Sequence, residues 1–217
     1  MDSSASPPEA EGRETEKRTR ILEGATKAFL AFGYQHTTMD DIARAADMSR
    51  PSLYLQFRNK ADIYRAIAVD MIDWSAATVQ QVMAGRGPLG ARLRDALDAG
   101  VFALHDKFGD SPHAAAMLDM KSSLAGDLIA EWKTRLCRSF TAAIAEEAQR
   151  RNVDLGARDL SPEILASLLL DGIEGIKMRI ADPKEQRRAA RGLVSVVALA
   201  VEGQPDEGAS QVRSSAY

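Results

Sequence analysis

The sequence predicts an all-α protein, with three N-terminal helices followed by a larger helical body and about nine helices in total. Three observations support this fold class. Apolar residues recur at intervals of three and four along most of the chain, which is the spacing of an amphipathic helix. Residues that cap helices precede several of these apolar stretches, and glycine or proline separates them. Alternation of β-branched and polar residues, which would indicate strands, is sparse.

Composition bounds the class of protein. The chain has 217 residues, of which 45% are hydrophobic, so we expect one large or two small domains with a substantial core. Its single cysteine, Cys137, excludes an internal disulfide framework. No apolar run reaches the roughly 18 residues of a membrane span, and the polar N-terminus lacks the apolar segment of a signal peptide. A soluble cytoplasmic protein without a membrane partner is expected.

The first helix follows a polar start. Residues 1–12 are rich in serine, proline and glutamate and are predicted to form a disordered tail. A helix is expected from about Glu14 to Phe32, and Gly33 then ends it, as glycine commonly does after the last helical turn. The apolar stripe of this helix consists of Ile21, Leu22, Ala25, Phe29 and Phe32.

Two short helices are predicted within the stretch Thr37–Lys60. Thr38 is a good N-cap for the first, and Asp41 lies three residues later, which is the capping-box pattern. Asp47 follows at the turn, where a short polar side chain tolerates left-handed backbone. The apolar face of this helix consists of Met39, Ile42, Ala43 and Ala46.

The second short helix is the best candidate for recognition. Ser49 can cap it, and Pro51 lies in its first turn, where a missing N–H costs nothing. Two short helices joined by a tight turn form a helix-turn-helix, whose second helix meets base edges in the DNA major groove with its N-terminal residues. Here those residues are Ser49, Arg50 and Ser52. Arg50 is best suited to reading a base, because arginine can bind guanine O6 and N7 in a bidentate manner, although a phosphate contact is also open to it.

This stretch closely resembles the DNA-binding core of the TetR family of bacterial transcription regulators. The resemblance rests on the type and spacing of Gly33, Tyr34, Thr38, Ile42, Ala43, Ala46, Ser49, Leu53, Tyr54, Phe57 and Lys60. Asp47 departs from the family, many members of which carry glycine there. The resemblance implies an all-α fold with a three-helix DNA-binding domain, residues 13–60, followed by a ligand-binding and dimerisation domain, residues 61–202.

The residues that contact DNA are predicted from position and chemistry. Pro51 offers an apolar ring to a thymine methyl group. Tyr54 matches a family position whose hydroxyl often meets the DNA backbone, and a packed aromatic ring with a solvated hydroxyl is the alternative. Arg44 and the threonines at the start of the first short helix are expected at phosphates. The full predicted set is Thr37, Thr38, Arg44, Ser49, Arg50, Pro51, Ser52, Tyr54, Leu55 and Lys60.

Lys60 carries a specific prediction. It begins the next helix, where a cation opposes the helix dipole and costs about 0.3–1 kcal/mol. A bound phosphate would reverse this effect, so phosphate contact is favoured over a lysine whose ammonium only meets water. Local charge agrees, because residues 13–65 carry ten basic and seven acidic side chains, a balance of +3, within a chain of net charge −3.

Breakers divide the rest of the chain into helices. Loops are expected at residues 85–88, 108–112 and 152–160, with a further break at Gly126. Residues 203–217 are small and polar and are predicted to be a disordered tail. Four of the expected helices have both ends defined, at residues 60–83, 89–107, 162–180 and 184–202. Two more lie between residues 112 and 151, one beginning at Pro112 and a longer one that follows Gly126 and ends near Arg151.

The last two helices are apolar around most of their circumference, whereas a surface helix needs only one apolar stripe. Each must therefore be covered on two sides. The resemblance implies that this pair forms a four-helix bundle with its copy in a twofold homodimer, and a hairpin fully buried in a monomer is the alternative. The predicted interface residues are Leu165, Leu169, Gly172, Ile176, Leu193, Val197 and Val201.

The resemblance also implies a ligand pocket among the middle helices, for a small and mainly apolar effector. Methionine adapts to irregular shapes and aromatic rings give flat apolar walls, although each such residue can equally be core packing. The predicted ligand-binding residues are Met71, Trp74, Phe102, His105, Met117, Met120, Trp132 and Phe140.

No metal site or cofactor is predicted. His105, Asp106 and His113 do not share one helical face, so structural or surface roles are favoured for them. Cys137 lies between apolar neighbours that favour a buried thiol, with a redox role as the minor alternative. Phosphate-binding glycine loops and the hydrolase and zinc-protease motifs are missing from the sequence, so an enzyme is not expected.

The sequence therefore predicts a homodimeric DNA-binding regulator. It would occupy an approximately palindromic operator as a repressor and leave it when an effector binds. Two alternatives belong to other classes. One is an activator or architectural DNA-binding dimer without an effector. The other is a helical enzyme or carrier that keeps the DNA-binding head as a relic.

Overall fold

The structure is a computed structural model that describes residues 7–107, 111–114 and 124–202, except the side chains at 7–11, 105 and 202. These residues form helices and turns and contain no strand, as the predicted all-α class requires. The helices are α1 Pro7–Phe32, α2 Met39–Ala45, α3 Arg50–Gln56, α4 Lys60–Met83, α5 Leu89–Ala96, α6 Ala103–Asp106, α7 Gly126–Arg150, α8 Pro162–Arg179 and α9 Pro183–Glu202. A π-helical segment, Leu97–Phe102, joins α5 to α6, and a short 3-10 helix spans Gly156–Arg158.

The first helix is longer than the sequence predicts. It begins at Pro7 rather than near Glu14, so residues 7–12 are helical and not a disordered tail. Two prolines occupy its first turn, where the backbone N–H groups have no intrahelical acceptor and their loss is tolerated. The predicted C-terminal tail, residues 203–217, lies outside the described residues.

The chain divides into two compact units. The first consists of Met1–Asp73 and Leu104–Ala130, and the second of Trp74–Ala103 and Glu131–Tyr217. This division differs from the boundary after Lys60 that the sequence predicts. The first unit keeps the beginning of α4 and a later segment because Ile63, Ala114 and Ala125 share its hydrophobic core.

The core of the first unit fixes the helix-turn-helix. Phe29 from α1, Ile42 from α2 and Leu53 from α3 are all fully buried in one apolar cluster. Beside this cluster, the ring of Tyr34 lies 5.3 Å from that of Phe29 and 5.6 Å from that of Tyr64, measured between centroids. Burial, followed by the nearby Tyr34, raises the pKa of Tyr64 to about 12.

The second unit is built around the helices that end the described chain. Helices α8 and α9 pack against each other and, with α5 and α7, enclose an apolar core. Gly172 on α8 lies so close to Leu193 on α9 that an added Cβ would stand 2.4 Å from a Leu193 methyl carbon. Ser161 caps α8, because its hydroxyl accepts the Ile164 N–H at 3.2 Å.

This packing corrects the predicted interface residues. Leu165, Leu169 and Ile176 on α8, and Val197 and Val201 on α9, are buried in the core of their own chain. Gly172 and Leu193 contact each other within the same chain. The five buried side chains leave almost no surface for a partner to cover, whereas Gly172 and Leu193 remain partly exposed. Periodicity did not indicate which apolar face the protomer buries, because both faces of each helix are apolar, and an interface that includes Gly172 and Leu193 stays a prediction.

Candidate nucleic-acid interface

Helix α2 begins with the capping box that the sequence predicts. The Thr38 hydroxyl accepts the Asp41 backbone N–H at 3.2 Å, and the Asp41 carboxylate accepts the Thr38 backbone N–H at 3.0 Å. The Thr38 hydroxyl also donates to that carboxylate at 2.6 Å. These hydrogen bonds to Thr38 lower the pKa of Asp41. The Thr38 side chain therefore has a structural role at the start of α2, although it remains exposed.

The turn between α2 and α3 has the left-handed backbone expected of Asp47, with φ at 51°. Arg20 on α1 stabilises this turn, since its guanidinium donates to the carbonyl oxygens of Ala46 at 3.0 Å and Asp47 at 2.6 Å. The backbone of α1 also approaches α2 closely, because a Cβ added at Gly24 would stand 2.7 Å from the Ala46 backbone nitrogen. The angle between the two helices is therefore set by backbone packing and by one arginine.

Helix α3 presents one buried and one exposed side. Ser49 caps it by accepting the Ser52 N–H at 3.3 Å, and Leu53 is fully buried beneath it. Gln56 is held to α1 through a 2.5 Å hydrogen bond to Glu14. The exposed side consists of Arg50, Pro51, Tyr54 and Leu55, and Leu55 is 85% exposed.

Arg50 is held in place by two neighbours. Its Nη1 donates to the Asp40 carboxylate on α2 at 3.1 Å. Its guanidinium carbon lies 5.5 Å from the centroid of the Tyr54 ring. Hydrogen bonding to Tyr54, together with the charge of Asp40, raises the pKa of Arg50. The best candidate for reading a base therefore has a defined orientation before any DNA is bound.

Lys60 does not have the geometry that the phosphate prediction requires. Its ammonium donates to the backbone carbonyls of Tyr34, Gln35 and Thr37 at 2.7, 3.0 and 3.1 Å. It also lies 4.6 Å from the centroid of the Tyr34 ring. A lysine ammonium has three N–H donors, and three carbonyls accept from it here. The contacts correct the prediction, because Lys60 fastens the loop between α1 and α2 to the start of α4.

Thr37 is also unavailable to DNA. Its side chain is only 1% exposed, and its hydroxyl donates to the carbonyls of Gly33 at 2.8 Å and Ala28 at 3.3 Å. Arg44 remains a candidate for phosphate contact, because it is exposed on α2 and pairs only at 3.5 Å with Asp41. Ser52 is half-buried.

The predicted ligand-binding residues are distributed over both units. Met71 packs against the core of the first unit, whereas Phe102 and Phe140 are buried in the core of the second. Trp132 is partly buried and donates its indole N–H to the hydroxyl of Ser75 at 3.0 Å. Trp74 is half-buried. The remaining predicted residues, namely the His105 side chain, Met117 and Met120, lie outside the described residues.

Other kinds of site find no support in the described part of the chain. No group of three or more histidine, cysteine, aspartate or glutamate side chains is placed to hold a metal ion there. Cys137 is half-buried against the core of the second unit. Within the same residues, no helix is long and apolar enough to cross a membrane.

The structural roles of two polar residues, Asp40 on α2 and Arg20 on α1, are missing from the sequence prediction. Asp40 and Arg20 each act across the fold, on Arg50 and on the turn at Asp47 respectively. Periodicity gives no signal for such pairs, because it describes neighbours on one helix only. A residue-by-residue inspection of charge near the turn could have suggested Asp40.

A capped helix, a left-handed turn and a second helix with an exposed outer side define a helix-turn-helix protein. The family profile described as "Bacterial regulatory proteins, tetR family" matches residues 21–67, which span this region. The matched relatives and solved structures are regulators of the same type. These similarities support a regulator of the TetR family, and the family profile itself covers the DNA-binding region of the chain.

Two curated relatives illustrate the range of the family. The chain is 34% identical over 95 residues to the HTH-type transcriptional activator FasR of Mycolicibacterium smegmatis, covering 43% of each protein. It is 27% identical over 177 residues to an HTH-type transcriptional repressor of Mycobacterium tuberculosis, covering 80% of this chain and 87% of the repressor. The match thus spans less than half the length of the activator and most of the length of the repressor.

A solved structure shares the fold over most of the chain. AibR, determined in complex with isovaleryl coenzyme A and operator DNA, aligns with a TM-score of 0.56 at 22% identity. The alignment covers 83% of this chain and 97% of AibR. At this level of identity the similarity establishes the fold.

Proposed function

We propose that this protein is a DNA-binding transcriptional regulator that places α3 in the major groove. The observation that carries the proposal is the exposed side of α3, where Arg50, Pro51, Tyr54 and Leu55 face outward. The sequence of α3, RPSLYLQ, contains no acidic residue that would repel phosphate. Arginine can read guanine, and apolar groups can contact the thymine methyl, so this side carries both kinds of base contact.

Binding can be tested without knowing the natural operator. Duplexes selected by the wild-type protein from a random library give a preferred sequence, and fluorescence anisotropy then measures affinity for that sequence and for a scrambled one. We expect Arg50→Ala to weaken binding to the selected duplex by roughly 1–3 kcal/mol and to relax sequence preference.

The matched control is Arg138→Ala. Arg138 is an exposed arginine on α7, in the second unit, and its removal changes the net charge equally. We expect it to leave sequence preference unchanged. Equal behaviour of wild type and Arg50→Ala on both duplexes would contradict base reading by Arg50, and a selection that enriches no sequence would contradict specific DNA binding altogether.

We further propose that the protein acts as a homodimer through outward faces of α8 and α9. Ile164 and Leu168 on α8, and Val196 and Leu199 on α9, are large apolar side chains that remain about half exposed or more. Gly175 and Gly192 on the same helices have open space around them, which suits close approach of another helix. A dimer would place two recognition helices on half-sites about 34–36 Å apart or at a multiple of that spacing.

Sedimentation of charged variants tests this face. Leu168→Glu and Val196→Glu add a carboxylate to each helix, so both should sediment as monomers if these faces meet a second copy. Leu55→Glu is the control, because Leu55 is a more exposed leucine on α3, and it should remain dimeric. A wild-type protein that is monomeric at micromolar concentration would contradict the dimer.

The proposed regulation is repression released by a small, mainly apolar effector that binds the second unit. The support is the match to a repressor over most of its length and the fold shared with AibR, which was crystallised with an acyl-coenzyme A and DNA. An effector can shift the protein only by binding the DNA-incompetent shape better. Binding to DNA implies that the protein works in the cytoplasm.

Both tryptophans of the chain, Trp74 and Trp132, are partly buried in the second unit, so their fluorescence can report effector binding. A compound that changes this fluorescence and releases the selected duplex would support the proposal. A reporter downstream of the selected duplex decides the sign of regulation. Reduced transcription in the presence of the protein is expected, and increased transcription would indicate activation, as the similarity to FasR also allows.

A further inference from the structure

Asp40 is an acidic residue on the side of α2 next to the recognition helix. Its carboxylate accepts a hydrogen bond from Arg50 Nη1 at 3.1 Å. The capping of α2 does not involve it, since Thr38 and Asp41 form the capping box. Asp40 and Arg50 are both largely exposed, at 51% and 59% of their side-chain surface. A negative charge at this position is unfavourable for any protein that approaches phosphates, so it calls for an explanation.

The contact leaves the recognition edge of Arg50 in place. Asp40 uses Nη1, whereas a bidentate contact with guanine O6 and N7 can be made by Nε and Nη2. The Tyr54 ring lies against the same guanidinium, at 5.5 Å from its centroid. Asp40 therefore restrains the guanidinium through Nη1, and the Tyr54 side chain lies against it.

Such restriction matters because a free arginine side chain has many rotamers. Fixing them on binding reduces affinity, and a side chain that is already oriented avoids most of this loss. Orientation also strengthens discrimination, because a misplaced guanidinium can reach a phosphate as readily as a base.

We propose that Asp40 is a positioning residue for sequence recognition, holding Arg50 through Nη1 so that the Nε–Nη2 edge meets a guanine. This inference rests on the proposed DNA-binding function and adds a residue to it. Asp40 makes no contact with DNA in this proposal. It acts through Arg50 and makes binding more selective while making it weaker on average.

Removing the carboxylate therefore has two effects of opposite sign. Asp40→Asn takes away a negative charge near phosphates, which tightens binding to any duplex. It also frees Arg50, which lowers the ratio of affinities for the selected and the scrambled duplex. A general charge effect changes both affinities by the same factor, so the ratio isolates positioning.

The test is a double-mutant cycle on the duplex selected by the wild-type protein, with the scrambled duplex as reference. We expect Asp40→Asn to reduce the affinity ratio by about two- to tenfold, the range for one side chain losing its preorganisation. In an Arg50→Ala background, Asp40→Asn should leave the ratio unchanged, because the residue that it positions is gone. Asp40→Ala is a second variant and should reproduce the fall.

The matched control is Asp62→Asn. Asp62 pairs with Arg58 at 2.9 Å in the same unit, so this change removes the same charge and a similar ion pair. Its affinity ratio should equal that of the wild type. Thermal melting of every variant confirms that it is folded.

Three results would overturn the proposal. One is an Asp40→Asn protein whose affinity rises on both duplexes by one common factor, which would make Asp40 only a repulsive charge. Another is a fall in the ratio that persists without Arg50. The third is an equal fall with Asp62→Asn. If the selection enriches no sequence, the DNA-binding function fails, and that outcome is distinct from all three.

Discussion

The two units of the chain are stabilised internally by side chains that include several which the sequence suggests for binding, and the chemistry differs between the units. In the first unit, Arg20, Thr37 and Lys60 donate hydrogen bonds to backbone carbonyls around the helix-turn-helix. In the second, Leu169 and Val201 fill an apolar core that α8 and α9 share with α5 and α7. Polar side chains fasten loops in the first unit, whereas apolar volume holds helices together in the second.

The difference teaches where to look for a functional surface. A basic residue near a recognition helix is a candidate for DNA contact only if its N–H groups do not already donate hydrogen bonds to backbone carbonyls. A leucine on a terminal helix is a candidate for an interface only if its own core does not enclose it. Arg50 and Leu55 pass this test in the first unit, and Leu168 and Val196 pass it in the second.

The largest expected effect separates two neighbouring leucines of α8. Leu169 is fully buried and Leu168 is 53% exposed. We expect Leu169→Ala to lower the free energy of unfolding by about 2–5 kcal/mol, because it leaves a cavity in the core. Leu168→Ala should change it by no more than about 0.5 kcal/mol apart from any dependence on protein concentration. Urea denaturation at several concentrations measures both, and similar losses would remove the distinction between the two faces.

The next effect concerns Lys60 in the first unit. Lys60→Met keeps the aliphatic stem but leaves the carbonyls of Tyr34, Gln35 and Thr37 without their charged donor. Hydrogen bonds to charged groups contribute about 1.5–3 kcal/mol, so we expect a stability loss in that range, reduced by solvent access to the loop. Chemical denaturation provides the measurement.

Arg50→Met is the control for Lys60→Met, since it removes a cation whose ion pair with Asp40 is exposed. Water screens an exposed pair, so little stability should be lost. A Lys60→Met protein with unchanged stability and uniformly weakened DNA binding would restore the phosphate role that the sequence predicts for Lys60.

These contrasts show what sequence reasoning could reach. The caps at Thr38, Ser49 and Ser161 were predictable because a cap and the backbone N–H that donates to it lie within one helical turn. The left-handed turn at Asp47 was predictable for the same reason. Local chemistry and the family resemblance together identified the all-α class and the exposed residues of α3.

Long-range partners were out of reach. Lys60 donates to backbone carbonyls of the segment from Tyr34 to Thr37, and no spacing pattern in the sequence connects Lys60 with that segment. On α8 and α9, periodicity identified two apolar faces but had no means of deciding which one the protomer buries. Helix dipole reasoning also favoured a phosphate beside Lys60, whereas nearer acceptors, the three carbonyls, satisfy the charge within the fold.

A smaller effect compares two glycines, one in each unit. A methyl group at Gly24 would overlap the backbone at Ala46, whereas Gly175 has open space around it. We expect Gly24→Ala to destabilise the protein by about 1–3 kcal/mol through overpacking. Gly175→Ala should raise helix stability by up to about 1 kcal/mol, provided that the measurement is made on the monomer. Thermal unfolding of both variants tests the pair, and a stable Gly24→Ala protein would show that α1 can move away from α2.

Gly175→Ala also sharpens the proposed dimer. Because the added methyl group would meet no neighbouring atom among the described residues, a loss that appears only at dimer-forming concentration would indicate a contact between two copies. Sedimentation beside the unfolding measurement separates the two effects. A variant that is more stable and equally dimeric would place Gly175 away from the contact between copies.

The smallest effect is a pH dependence within the first unit. Arg65 donates to both oxygens of Asp127 at 2.9 and 2.7 Å, and to the Leu124 carbonyl at 2.5 Å. The hydrogen bonds from Arg65 lower the pKa of Asp127 to about 2. A carboxyl group whose pKa is lower in the folded state stabilises the fold above its unfolded pKa, and this contribution disappears as pH falls through the folded pKa. The relevant window is therefore from about pH 4 down to about pH 2.

We expect wild type to be slightly more stable than Asp127→Asn at neutral pH and the difference to shrink progressively below about pH 4. The effect must be small, because both side chains are exposed to water that screens the pair.

Melting temperatures of the two proteins across the acid range provide the comparison. Glu163→Gln is a useful reference, because the pKa of Glu163 in the second unit is lowered mainly by hydrogen bonding to Ser161 and not by an arginine. Salt should reduce the Asp127 difference and leave the Glu163 difference nearly unchanged. A difference for Asp127→Asn that is constant from neutral pH to acid would mean that the carboxylate and Arg65 are not paired in solution, and the apolar contacts of Leu124 and Leu128 would then matter more for holding the start of α7 in the first unit.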